Sequence, residues 1–362
     1  MMRNSTPENN FREAKISVTQ SAPCQQQLRI KLPAQAVQPV REVVVGEFQR
    51  EAAIPGFRKG RAPRELVERK YPGEIREETL RRLTRQVFER VQTERNLKPV
   101  GPFEVTRVDF DEAKGLELEA HVEVEPEFRL AEYRGIRLTK PGVTVSPEDI
   151  EQALKQLQES MAELVPAGEG KPKEKHVPSL DDEFAKDVGF ENVEQLKVHV
   201  EAKLRERKTA EATQGLEQSL CEALLARHTF DVPQQLVTRQ TERLTRDFQV
   251  RCLLAGFSDE KVKEELAKYT EQLRTSAARY VKLAFILDRI AETENISVTQ
   301  DELVDRLWKL AKRWGKDPAE VRRLLDARGL WPSILSSIRQ EKTIGFLMSA
   351  AQVVESGSGT PE

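Results

Sequence analysis

Cysteine is scarce: Cys24, Cys221 and Cys252 are the only three among 362 residues. They are odd in number and far apart, with no Cys-x-x-Cys pair. That excludes a disulfide framework, gives no zinc site, and fits a reducing compartment. Aromatics make up 6% and hydrophobic residues 38%, lean for one large core and suited to an elongated, mostly helical protein with several thin cores. Neither sign of charge dominates: 58 Lys and Arg face 60 Asp and Glu, a formal net charge of -2. Any affinity for nucleic acid therefore needs a local patch. No run of about 18 apolar residues occurs, so no helical membrane span is expected. The N-terminal MMRNSTPENNFREAKIS has no apolar stretch, so no secretory signal is read there and a soluble cytoplasmic protein is expected.

Signs of catalysis are also lacking. His121, His176, His199 and His228 are scattered outside any metal-ligand pattern, with His121 on the polar face of a strand and His176 in a linker, both read as solvated. No Gly-rich phosphate loop follows a strand, so use of ATP is not indicated. Asp181, Asp182 and Glu183 are more simply the start of a helix than an acid cluster. No catalytic residue, cofactor or metal is expected.

What is present begins with an α+β pattern. Residues 1–14 read as a disordered lead-in. Cys24, Leu28, Ile30 and Leu32 share the parity of a strand ended by Pro33. Val37, Val40, Val44, Phe48 and Ala52 recur at helical spacing over 35–53, with Pro39 near the first turn. Leu66, Val67 and Tyr71 make a short helix interrupted by Pro72-Gly73, and Ile75, Leu80, Leu83, Val87 and Val91 a longer one. Residues 103–110 read as a strand. Leu116, Leu118, Ala120, Val122 and Val124 then alternate with glutamates and His121, the clearest strand in the chain. This domain is expected over 15–130.

A linker over 131–176 follows, with one helix opened by Ser146-Pro147-Glu148-Asp149 and a stretch from Val165 to Lys175 of mobile-linker composition. From 177 to 355 the pattern is helical. One long helix runs through Leu196 to Leu224, another from Val237 ends at Gly256, and a third is capped by Asp259. Thr299-Gln300-Asp301-Glu302 opens a fourth, and shorter helices cover 317–328 and 333–354. Trp308, Trp314 and Trp331 could line a cradle for a client, but at least two of them are expected in the core, as aromatics at helical spacing usually are. Residues 356–362 read as a disordered tail.

The loop Gly56-Phe57-Arg58-Lys59-Gly60-Arg61-Ala62-Pro63 stands apart. It holds three bases and no acid, with a large aromatic between two glycines. Its glycines permit left-handed backbone, and Pro63 suits the start of the next helix. Such a loop can project Phe57 from a helical hairpin. On composition alone, a solvated turn with Phe57 folded against its own domain is the favoured alternative.

The segment PGFRKGRAP resembles the ribosome-docking signature of the trigger factor family, Gly-Phe-Arg-x-Gly-x-x-Pro, at Gly56, Phe57, Arg58, Gly60 and Pro63. Leu97 to Gly101, Glu123 to Glu127, Val145 to Asp149, Leu180 to Lys186, Phe230 to Pro233 and Ile296 to Thr299 resemble other segments of that family. The resemblance covers 16–354. One departure is large: the family's FK506-binding-protein-like isomerase domain has about a dozen residues in its place, and a domain needs at least about 50. The resemblance implies an ATP-independent chaperone that docks at the ribosomal exit tunnel through Gly56, Phe57, Arg58, Lys59, Gly60 and Pro63. Its helical domain would form a body with arms that hold nascent or unfolded polypeptides. The implied partners are the large ribosomal subunit, those polypeptides and, as a further candidate, a second copy of the chain. Other readings are a ribosome-bound structural or translation-related factor without clients, a residual prolyl isomerase, and a periplasmic export chaperone, against which the missing signal peptide speaks.

Overall fold

The structure, a computed structural model, describes residues 14–165 and 174–355. The lead-in (save Ala14), the middle of the 165–175 stretch and the 356–362 tail lie outside the described residues. The chain packs as two compact units, 1–129 with 229–285, and 130–228 with 286–362. Residues 229–285, inside the expected helical domain, thus belong with the first unit.

The first unit opens with β1 (Lys15–Ala22) and β2 (Gln25–Pro33), then α1 (Ala34–Glu51), α2 (Arg64–Lys70), α3 (Pro72–Glu94), β3 (Glu104–Asp111) and β4 (Gly115–Glu123). The strands form one sheet of order β1-β2-β4-β3, antiparallel throughout. The alternation read in β4 places Leu116, Leu118, Ala120 and Val122 in the core. They face Leu28, Ile30 and Leu32 of β2, with Val37 and Val40 of α1 and Leu83, Val87 and Val91 of α3 packed over them. On the wet face Arg29 pairs with Glu119 and Lys31 with Glu117. Strand β1 precedes the one expected. Its largely exposed, polar composition gives an edge strand little periodic signal. His121 is half-buried rather than solvated, and its Nδ1 lies buried without a partner among the described residues.

In the second unit come β5 (Arg137–Lys140), α4 (Pro147–Ser160), β6 (Glu163–Val165), β7 (Glu174–His176), α5 (Asp182–Asp187) and α6 (Val193–Arg227). Helix α4 starts on the expected cap: Ser146 and Asp149 form a reciprocal capping box, and Lys208 reaches Asp149 at 2.5 Å. The ends of the expected mobile stretch pair as the antiparallel strands β6 and β7. Asp181 accepts from Glu183 and Phe184 amides, which makes the acidic triplet a helix start. His228, after α6, is buried. Its Nδ1 donates to the Leu224 carbonyl at 2.7 Å and its Nε2 accepts from the Ala131 amide at 3.0 Å, partners that assign the tautomer.

Helix α7 (Gln234–Leu254) and α8 (Asp259–Thr293) follow. In the first unit Val237 of α7 packs with Ala277 and Val281 of α8. The cap of α8 is Ser258, whose hydroxyl accepts from Lys261, rather than Asp259. The second unit closes with α9 (Gln300–Trp314), α10 (Pro318–Ala327), α11 (Trp331–Ala350) and β8 (Gln352–Glu355). Strand β8 lies where helix was expected; Val353 and Val354 pair in parallel with Leu138 and Thr139 of β5. A partner strand far away in the sequence overrode the helical pattern there. Trp308 and Trp314 are 61% and 46% exposed, and Trp331 is half-buried with its indole N–H on Asp326. The expectation that two of the three sit in the core is therefore corrected.

Candidate functional site

The residues between α1 and α2 form two consecutive tight turns. The Phe57 amide donates to the Ile54 carbonyl at 3.1 Å, and the Arg61 amide to that of Arg58 at 2.9 Å. The third residue of each turn is a glycine with positive φ, +88° at Gly56 and +79° at Gly60. Proline at the second position and positive φ at the third define the first as a type II turn, and the second shares the glycine geometry. Leu-like side chains could not adopt these angles without strain, so the two glycines set the path of the loop.

The base of the loop is fixed while its tip is free. Ala62 is buried with Val44, Val45, Val67 and Ile75, against which Phe48, Ile54 and Tyr71 pack. The Gln49 side-chain amide donates to the Ala62 carbonyl at 2.7 Å, and Lys70 to that of Ala53 at 2.9 Å. Neighbouring cations are engaged: Arg41 bridges Glu68 and Glu112, and Arg64 also meets Glu68. Arg58, Lys59 and Arg61 are exposed and have no ion pair among the described residues. Phe57 is 43% exposed. Gly56, Phe57, Arg58, Lys59, Gly60 and Pro63 thus sit together as the sequence placed them, and Phe57 is not folded into its own domain.

Gln49 and Lys70, which brace the loop, carry no motif in the sequence; only the folded contact identifies them. A second apolar feature was also missed. At the end of α7, Val250, Leu253 and Leu254 are exposed, Leu254 to 83%. The helix closes at Gly256, φ +82°, with the Phe257 amide on the Cys252 carbonyl at 3.1 Å. The adjacent leucines beside a stop glycine were the available signal. No group of three or more metal-ligating side chains occurs among the described residues, and no described helix is long and apolar enough to cross a membrane.

Two family models match, "Bacterial trigger factor protein (TF)" over residues 14–157 and "Bacterial trigger factor protein (TF) C-terminus" over 192–349. Residues 158–191 between them are too few for an isomerase domain. The chain is 28% identical to trigger factor from Geobacillus sp. (strain WCH70) over an alignment of 415 positions, covering 90% of this chain and 96% of that one. It is 25% identical to trigger factor from Solibacter usitatus (strain Ellin6076), with 91% and 97% covered. Among solved structures, a trigger factor chaperone studied for promiscuous substrate recognition aligns with a TM-score of 0.51 at 19% identity, over 92% of this chain and 99% of that one. The chain therefore belongs to the trigger factor family of ribosome-associated chaperones, in a form without the middle prolyl-isomerase domain.

Proposed function

We propose that this protein is an ATP-independent cytoplasmic chaperone that docks beside the exit tunnel of the large ribosomal subunit and shields nascent or unfolded polypeptides. The observation that carries the docking half is the braced double turn, which holds an exposed Phe57 next to Arg58 and Lys59, cations with no carboxylate partner among the described residues. An aromatic anchor desolvates against an apolar site, while Arg58 and Lys59 meet phosphate or acidic side chains on the ribosomal surface. Gly56, Gly60 and Pro63 act by shaping the turn. The docking work falls to residues 15–130, 131–176 form the linker, and client contacts lie in helices within 177–355.

Client binding is supported by apolar side chains left in solvent, Val250, Leu253 and Leu254 on α7 and Tyr280 on α8. Weak contacts at several such places release a client without nucleotide hydrolysis, because each contributes little. These residues favour the chaperone over a ribosome-bound factor with no clients. With no isomerase domain, the reading includes no enzymatic step.

Ribosome co-sedimentation tests the docking assignment. Replacing Phe57, Arg58 and Lys59 together by alanine removes the anchor and two cations without touching a buried contact. Losses of at least about 2 kcal/mol are common for such anchor residues, so pelleting falls tenfold or more. Unchanged pelleting of the folded variant sinks the assignment.

A further inference from the structure

The hairpin of α9 and α10 carries a concentration of charge that the molecule as a whole does not have. From Arg306 to Lys316 there is no acidic residue. Lys309, Lys312, Arg313, Arg322, Arg323 and Arg328 are all exposed, and none has an ion pair among the described residues. The three acids in 307–330 are occupied: Asp317 accepts the Ala319 amide at 2.8 Å, Glu320 is paired with Lys316, and Asp326 accepts the Trp331 indole N–H at 2.6 Å.

Two tryptophans accompany these cations. On α9, Trp308 and Lys312 are four residues apart and share a face, and Lys309 and Arg313 share the adjoining one. Trp314 ends the helix, just before the left-handed Gly315. The core of this hairpin is made by Leu307, Leu310, Ala311, Val321 and Leu325, so neither exposed indole is needed to close it. Cations in the last turn of a helix complement its dipole, which accounts for Lys312 and Arg313. It does not account for Arg322 and Arg323 in the middle of α10, or for large aromatics left in water.

We propose that the α9–α10 hairpin is a binding surface for single-stranded RNA. Lysine and arginine meet the phosphates, and exposed indoles supply faces on which unpaired bases stack whatever their sequence. An acidic peptide satisfies the cations, but its carboxylates offer the indoles no aromatic face to stack on, and the observations favour RNA for that reason. The hairpin shares no residue with the Phe57 loop and does not depend on that loop's role.

The test is fluorescence anisotropy of a labelled single-stranded RNA of about 16 nucleotides titrated with the full chain, between about 50 and 200 mM salt. The expected result is salt-dependent binding. Replacing Lys309, Lys312 and Arg313 by glutamine lowers the log–log salt slope by about 2, at about 0.7 for each single-strand phosphate contact. Trp308→Leu weakens binding about fivefold or more and leaves the slope unchanged. The Phe57, Arg58 and Lys59 alanine variant binds like the parent. Should the triple glutamine variant lose its helical circular dichroism, Arg322→Gln with Arg323→Gln takes its place, with a slope change of about 1.4. Absence of binding at low salt, an unchanged slope in the folded variants, or loss of binding in the Phe57-loop variant overturns the proposal. Competition by polyglutamate as effective per charge as RNA overturns it in favour of an acidic protein partner.

Discussion

The Glu123 carboxylate accepts the backbone amide of Gln235 with both oxygens, at 3.1 and 2.9 Å. Helix α7 begins after Pro233, which has no side-chain oxygen to cap it. A residue at the end of β4 therefore performs from a distance what a serine or aspartate does locally at other helices. Glu123 is almost fully buried, so the helix start and the carboxylate each satisfy a group that would otherwise be costly to bury.

Removing that carboxylate leaves the first amides of α7 unpaired. Glu123→Ala is expected to cost about 1.5–3 kcal/mol, the range for hydrogen bonds to a charged group. Urea unfolding followed by circular dichroism measures it, and a loss under about 0.5 kcal/mol, the size of an ordinary surface change, contradicts the capping role.

The same residue sets a pH dependence. Burial pushes the Glu123 carboxyl above the ordinary range, opposed by the amides of Gln235 and Gln234; Glu104 on β3 raises it further and Arg239 on α7 lowers it. The folded state thus holds the proton more tightly than the unfolded chain. Relative to Glu123→Gln, the parent loses stability as pH rises from about 4.3, the unfolded value, up to the higher folded value. Paired urea titrations from acid to neutral pH read the difference, and an opposite slope refutes the burial argument.

Gly115 is expected to tolerate no side chain. Its φ is +112°, and an added Cβ would lie 2.0 Å from the Leu32 carbonyl oxygen across the β2–β4 pair. Gly115→Ala should lower stability by at least about 2 kcal/mol, combining backbone strain with a displaced strand. Gly56→Ala meets only open space. It should therefore reshape the loop at about 1 kcal/mol and reduce ribosome pelleting while the melting curve barely moves.

Client shielding is checked by light scattering of a denatured enzyme with the full chain at modest molar excess. Suppression without ATP is expected, and serine at Val250, Leu253 and Leu254 together should weaken it, since each exposed aliphatic offers up to about 1.5–3 kcal/mol of burial. Full suppression by that folded variant removes α7 from the client surface; no suppression by the parent favours the factor without clients.

Proline-limited refolding of a test protein should not be accelerated by catalytic amounts of the chain. Rotation of the amide faces a barrier of roughly 18–20 kcal/mol, and an apolar pocket must stabilise the twisted bond. Residues 158–191 are too few to build the missing domain. Acceleration would place the activity elsewhere in the molecule.

Much of the candidate site was legible because it is local. The glycines that take positive φ at 56 and 60, the basic run between them and the capping boxes at Ser146 and Thr299 all act over three or four residues. The braces from Gln49 and Lys70 were not legible, since a side chain reaching a backbone carbonyl across a hairpin leaves no periodic trace. Strand β8 was missed for the same kind of reason: its conformation comes from β5, not from its neighbours in the chain.

By itself the sequence determined most of the helices, strands β2, β3 and β4, where most helices begin, and that a glycine-bounded aromatic and basic loop lies between α1 and α2. Period, caps and turn residues act between near neighbours and need no partner from elsewhere. Only the tertiary structure decided that Phe57, Trp308 and Trp314 stay in solvent, that Glu123 caps α7, and that His228 is buried with a fixed tautomer. Burial and long-range hydrogen bonds depend on which faces meet after folding, and a stripe of apolar residues carries the same pattern whether or not another surface comes to cover it.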